Sequence, residues 1–222
     1  MNAAPHPFVG RPAVVSAILG PILFIGGTAV VGASWPAYRP AAQTISELAA
    51  GDAPTRAAMT VVFVIAALCH VLTGLFARGV GPAGRAALVL AGVASLAVAA
   101  FPLPTVASTS VPHRVSAIVG FILLAAWPLL GMRMSRSFPA VVRPLGATVS
   151  TLLLTAVCVW FLVVWTSPQT GTIGLVERIA ADSESLWPGV VVVWLLLSTR
   201  RLSTRRPAAQ EPSPKALRRS PR

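Results

Sequence analysis

Acidic residues are scarce in this chain. Glu47, Asp52, Glu177, Asp182, Glu184 and Glu211 are all it has among 222 residues, and charged residues of both signs make up only 11%. An ordinary soluble domain carries roughly a quarter. That shortage, beside 55% hydrophobic residues, excludes a soluble domain and points to a membrane protein. Cysteine is limited to Cys69 and Cys158, both inside apolar runs, where they read as small core hydrophobes. Two such cysteines make neither a disulfide framework nor a zinc signature. The three histidines, His6, His70 and His113, fall at different predicted depths and cannot assemble a three-histidine metal site, so no metal and no cofactor is expected. Lysine is represented by Lys215 alone. The arginine-for-lysine bias and the abundance of alanine read as the codon usage of a GC-rich bacterium.

What remains is long apolar runs. A bilayer-crossing helix needs about 20 apolar residues, and the chain offers runs at about 13–33, 57–77, 86–103, 115–132 and 144–165, with a shorter one before residue 199. The expected fold is all-α, a six-transmembrane-helix bundle spanning 13–199, preceded by a cytoplasmic N-terminus (1–12) and followed by a disordered, basic cytoplasmic tail (200–222). Gly20-Pro21 predicts a kink in the first span. Val31-Gly32-Ala33 resembles a signal-peptide cleavage site, but Arg11 alone makes a weak positive region and the run is long for a signal core, so a retained span is expected. In the third run Ala87, Ala91, Ser95 and Ala99 recur every four residues and predict a smooth ridge for close helix packing.

Charge sets the expected orientation. With a cytoplasmic N-terminus, fourteen of the eighteen basic residues fall on inner segments, while five of the six acids fall outside. This positive-inside bias predicts both termini in the cytoplasm of a bacterial inner (plasma) membrane. The basic residues lie between and after apolar runs without interleaved aromatics, which argues against nucleic acid. Arg200, Arg201, Arg205 and Arg206 form a juxtamembrane cluster that serves as a topological stop signal and attracts anionic lipid head groups. No motif specifies an oligomeric state.

The first five spans contain no Asp, Glu, Lys or Arg, which argues against ion-coupled transport. His70 is expected to be a helix-packing histidine. Polar residues gather instead on three outer connections, which supply Arg39, Glu47, Asp52 and Arg56, then His113 and Arg114, then Arg178, Asp182, Glu184 and Trp187 as candidate ligand-binding residues. Ser46, His113 and Glu177 are the candidate catalytic set, with a serine nucleophile, a histidine base and an orienting acid of the kind acyl transfer uses. No nucleophile elbow or spaced histidine pair supports that set, and a solvated, salt-bridged rim is the stronger expectation. The expected function is therefore a non-enzymatic membrane protein binding a polar small molecule, lipid head group or membrane partner at its outer face. A hydrolase or acyltransferase acting on outer-leaflet lipid is the first alternative, and an uncoupled transporter or flippase the second.

Ile45-Ser46-Glu47-Leu48 after the first span, Phe101-Pro102 ending the third, His113 opening the fourth, and Gly174 to Ile179 with Trp187 before the last together resemble the bacterial "domain of unknown function 998" family of multi-pass membrane proteins. The resemblance covers about residues 14–199. It implies six spans, gives weight to Ser46, Glu47, His113, Glu177, Arg178 and Trp187, and supplies no reaction.

The last apolar run is too short for its task. Trp187 to Thr199 covers about 20 Å at 1.5 Å per residue, short of the roughly 30 Å hydrocarbon core. The sixth helix must then reach back over Asp182–Leu186, placing its acids at membrane depth, facing the bundle, with Arg39, Arg56 or Arg114 as expected partners.

Overall fold

A computed structural model describes residues 8–167 and 171–204. The described residues form six long helices: α1 (Arg11–Ala33), α2 (Arg56–Phe76), α3 (Pro82–Ala100), α4 (Val111–Leu130), α5 (Pro144–Thr166) and α6 (Ile173–Thr204). All six are long and apolar enough to cross a membrane. The chain is a multi-pass membrane protein.

Proline opens four of these helices. Pro12, Pro82, Pro112 and Pro144 sit in the first turns of α1, α3, α4 and α5, where the missing N–H has no helical partner to lose. This is why α3 and α4 start four residues earlier than hydropathy alone suggests, since polar residues of the first turn are helical without being apolar. Pro21, Pro128 and Pro188 lie inside α1, α4 and α6 without ending them.

Each helix packs on the next, and α6 closes onto α1. Short connections make neighbours antiparallel, so the connections sort to two ends. At the basic end, Gly10 N–H donates to Phe76 O (3.0 Å), Gly81 N–H to Gly131 O (2.8 Å) and Arg133 N–H to Val142 O (2.7 Å). At the acidic end, Gly51 N–H donates to Leu103 O (2.8 Å) and Leu175 N–H to Ala41 O (3.0 Å).

Two main apolar clusters fill the interior, with a small third at Ala50, Ala53 and Leu103. The larger, towards the basic end, centres on Trp127, Leu88, Val191, Val192 and Leu195; the smaller lies under the 34–55 connection, around Tyr38, Leu48, Met59 and Phe63. The small-residue ridge of α3 is packed as expected at Ala87 and Ala91, both buried. Beside it, a Cβ on Gly92 would lie 2.7 Å from Ala67 O, so glycine there lets the α2 and α3 backbones touch.

Two expectations change. The sixth helix begins at Ile173 rather than Asp182 and runs to Thr204, into the stretch expected to be disordered. At 1.5 Å per residue its 32 residues extend about 48 Å, longer than a hydrocarbon core. The 34–55 connection, expected only as a polar outer connection, is itself folded. It folds into successive turns and one 3₁₀ turn (Ser46–Ala49) that caps the acidic end. The rest of the basic tail, with Arg205 and Arg206, lies outside the described residues, as do the side chains of Arg200 and Arg201.

Candidate functional site at the acidic end

The cap is held down by the first turns of α6. Gly174 sits against the cap backbone, where any Cβ would collide with the carbonyl oxygens of Gln43 and Pro40. That contact delivers the next two side chains to the cap. Glu177, buried, accepts from Ile45 N–H at 2.5 Å. Arg178 spends one terminal nitrogen on Pro40 O (2.6 Å), Gln43 O (3.1 Å) and its own helix's Gly174 O (3.0 Å). Its other terminal nitrogen donates to the Tyr38 hydroxyl, and the guanidinium lies 5.4 Å from the centre of the Tyr38 ring. The planar fork suits this task, since several N–H groups diverge from one rigid plane.

Tyr38 completes the clip by donating to Thr44 O (2.8 Å), with Gln43 O also in reach (3.1 Å). Burial raises its phenol above the usual value of 10.0, opposed by the hydrogen bond and charge of Arg178. Glu47 works within the cap, accepting from Thr44 N–H (2.9 Å), Thr44 Oγ1 (3.1 Å) and Gln43 Nε2 (2.9 Å). Asp52 ties the cap to the next connection by accepting from Val106 N–H at 2.8 Å. His113 lies under that second connection, its Nδ1 2.9 Å from Phe101 O.

The catalytic trio is not joined. Glu177 is engaged with the Ile45 amide and His113 with the Phe101 carbonyl, and among the described residues neither makes a hydrogen bond to Ser46. Arg39, Arg56 and Arg114 are exposed, and none of them meets the acids of α6 as expected. The cation that does lie nearby is Arg178, from the same helix, and the cap carbonyls have claimed it. Its neighbour in sequence, Glu177, satisfies a backbone amide instead of a cation.

Two acids of α6 therefore keep oxygens without partners. Glu184, 1% exposed, accepts from the Cys158 thiol on α5 at 3.1 Å through one oxygen; the other, Oε2, is buried and has no hydrogen bond. Asp182 Oδ1 is likewise buried and unpartnered. An unmade hydrogen bond at a buried polar atom costs roughly 1–3 kcal/mol, so both oxygens are expensive to keep. Trp187 faces elsewhere, against the larger apolar cluster, with its indole N–H buried and unpartnered. His70 also keeps an unpartnered Nδ1, on α2.

Asp182 differs from Glu184 in opening onto space. A cleft of about 440 Å³ lies between α1 and α6 beneath the cap, lined by Ile25, Thr28, Ala29, Tyr38, Arg178 and Asp182 among others. The sequence marked Asp182 and Arg178 as polar residues of one membrane face, but gave no sign of Thr28 or of the cleft. Cys158, read as a core hydrophobe, turns out to be the thiol donor to Glu184. Nothing in the 144–165 run marks it.

The sequence profile described as "Protein of unknown function (DUF998)" matches residues 18–194. The chain belongs to the DUF998 family. The matched region starts in α1 and ends in α6, so the cap, the Arg178 clip and the Asp182 cleft all fall within the family's domain. No curated protein and no solved structure matches the chain.

Proposed function

We propose that this DUF998 protein resides in a bacterial inner membrane with its acidic end outside, and that the α1–α6 cleft there binds a polar small molecule or lipid head group. The charge distribution supports the orientation, because basic residues collect at the end where α1 starts and α6 finishes. The basic tail would lie against anionic lipid of the inner leaflet. The single observation carrying the binding reading is that Asp182, which lines a cleft large enough for a ligand, has a carboxylate without a hydrogen-bond partner among the described residues. A carboxylate there is costly to the fold and useful to a ligand.

The outer-leaflet hydrolase draws no support from the geometry, since Ser46, His113 and Glu177 share no hydrogen bond. The experiment is native mass spectrometry of the protein purified from its own membranes. A small molecule retained by the wild type and by Asp52→Asn, but lost from folded Asp182→Asn, is the expected result. Identical bound species in all three, or none in any, would overturn the reading.

A further inference from the structure

The 440 Å³ cleft has a continuation. A second hollow of about 650 Å³ lies along the same pair of helices, walled by Ile18 and Ile22 of α1 and by Leu186, Val190, Val193 and Leu197 of α6 among others. Helical spacing places the two on one seam. On α6 the lining residues Arg178, Asp182, Leu186, Val190, Val193 and Leu197 follow one another at steps of three or four, and so share one face. On α1 the residues Ile18, Ile22, Ile25, Ala29 and Ala33 do the same. The two stripes run antiparallel along one seam. From Asp182 to Leu197 this groove extends about 22 Å at 1.5 Å per residue. Its wall residues Ile22, Leu186, Val190 and Leu197 are 59%, 46%, 44% and 49% exposed, so the seam opens sideways to the surroundings of the bundle rather than into its core.

The groove is chemically graded. Its long lower part is apolar, and its polar groups gather at the upper end. There both terminal nitrogens of Arg178 are drawn to Pro40, Gln43, Gly174 and Tyr38, and the Tyr38 hydroxyl donates to the cap. Thr28 donates to Ile25 O at 2.9 Å, leaving its oxygen as an acceptor. The polar side chain that lines this end without a hydrogen-bond partner among the described residues is the Asp182 carboxylate. A phosphate or carboxylate would find both terminal nitrogens of its natural partner already engaged and a carboxylate beside it. A donor-rich cation would find a carboxylate waiting.

We propose that the α1–α6 groove binds a single-chain amphiphile with a primary ammonium head group, the ammonium donating to Asp182 and the alkyl chain lying along Ile22, Leu186, Val190 and Leu197. This rests on the binding role assigned above to the Asp182 cleft and specifies its ligand. Entry is lateral, from the membrane.

Trp35 lines the upper cleft and Trp194 the lower groove, so each end has its own fluorescent reporter. The test titrates detergent-solubilised protein with hexadecylamine, ethanolamine, hexadecanol and hexadecyl phosphate, reading both tryptophans against Trp35→Phe and Trp194→Phe controls. Hexadecylamine is expected to perturb both reporters saturably. Asp182→Asn should weaken that binding about tenfold or more, as loss of a charge-assisted hydrogen bond requires. Val190→Trp, which fills the lower groove on an exposed face, should weaken hexadecylamine binding and leave ethanolamine unaffected.

Saturable, Asp182-dependent ethanolamine binding with no gain from the alkyl chain would overturn the amphiphile and leave the polar site standing. Stronger binding of hexadecyl phosphate or equal binding of hexadecanol would overturn the ammonium assignment alone. Hexadecylamine binding that ignores Asp182→Asn would be partition into detergent, and overturns the proposal. Silence of both reporters to every probe would remove the polar site as well.

Discussion

The two ends of the bundle use the same device to different effect. At the basic end Arg133 donates to the carbonyls of Arg78 (2.9 Å), Gly79 (3.3 Å) and Val80 (2.9 Å), and its guanidinium lies 5.0 Å from the Phe138 ring centre. Arg85 does likewise with Gly74 O and Leu75 O. At the acidic end Arg178 gathers cap carbonyls beside Tyr38. At both ends arginines gather the carbonyls that a turning backbone leaves without partners, and one at each end, Arg133 and Arg178, lies beside an aromatic ring. The ends differ in what is left over. Every basic-end hydrogen bond named above is an arginine or a backbone amide meeting a carbonyl, whereas α6 brings two carboxyl groups with spare buried oxygens to the other half of the molecule. Arginine clips are architecture at both ends, and the surplus of acceptors marks only one of them.

The largest effect should separate the two clips. Arg178→Ala removes bonds to two cap carbonyls and to Tyr38 and leaves buried Glu177 without its neighbouring cation. Hydrogen bonds to charged groups contribute about 1.5–3 kcal/mol each and do not add fully. Because Arg178 is partly exposed, a net loss of about 3 kcal/mol is expected in thermal unfolding followed in detergent. Arg178→Lys should recover only part of it, since a single ammonium cannot span the fork's acceptors. Arg133→Ala, with no buried acid beside it, should lose about half as much. Equal losses at the two ends would erase the distinction.

Much of this comparison was legible in the sequence, and the reason lies in particular residues. Apolar runs flanked by arginine announce six helices, because a bilayer demands about 20 such residues whatever the packing. The short run Trp187–Thr199 even announced that α6 must reach back through its acids, and it does so further than expected, to Ile173. Composition could not announce the cap. The turns of residues 34–55 are decided by Gly174, Glu177 and Arg178, more than a hundred residues away, and a window along the chain does not see such partners. The same limit explains the wrong partners for Asp182 and Glu184. Counting charges on one face named Arg39, Arg56 and Arg114, whereas burial and backbone carbonyls decided where the guanidiniums went. The cleft was invisible because its walls, Ile25, Thr28 and Ala29, look like any first span.

A second way to sharpen the contrast stays within α6. Glu177 and Glu184 are both buried acids, but the first satisfies a backbone amide while the second holds one thiol and one empty lone-pair direction. Glu177→Met strands Ile45 N–H and should destabilise by about 2 kcal/mol. Glu184→Met replaces an under-satisfied carboxyl with an apolar side chain of similar volume, a change that is often neutral or stabilising, and should raise stability by about 1 kcal/mol in the same unfolding assay. A clear loss at Glu184→Met would mean that its free oxygen is occupied in the membrane and belongs to the architecture after all.

The smallest effect concerns Tyr38 and alkaline pH. Its phenol is raised by burial above the unfolded value of 10.0, against the pull of Arg178. A group whose folded pKa is raised contributes stability that is fully present below the unfolded pKa, and that contribution disappears as pH rises through the folded value. Unfolding midpoints should therefore hold steady up to pH about 10 and decline beyond it. Tyr38→Phe cannot ionise, so its own alkaline decline should be shallower, from a lower plateau set by the lost hydrogen bonds to Thr44 and Arg178, about 1 kcal/mol. The basic-end clip rests on Phe138, which does not titrate, and Phe138→Leu should leave the alkaline slope as it is in the wild type. Parallel alkaline slopes for Tyr38→Phe and the wild type would show that the phenol is solvated, and that the acidic-end clip closes less tightly over Tyr38 than its burial requires.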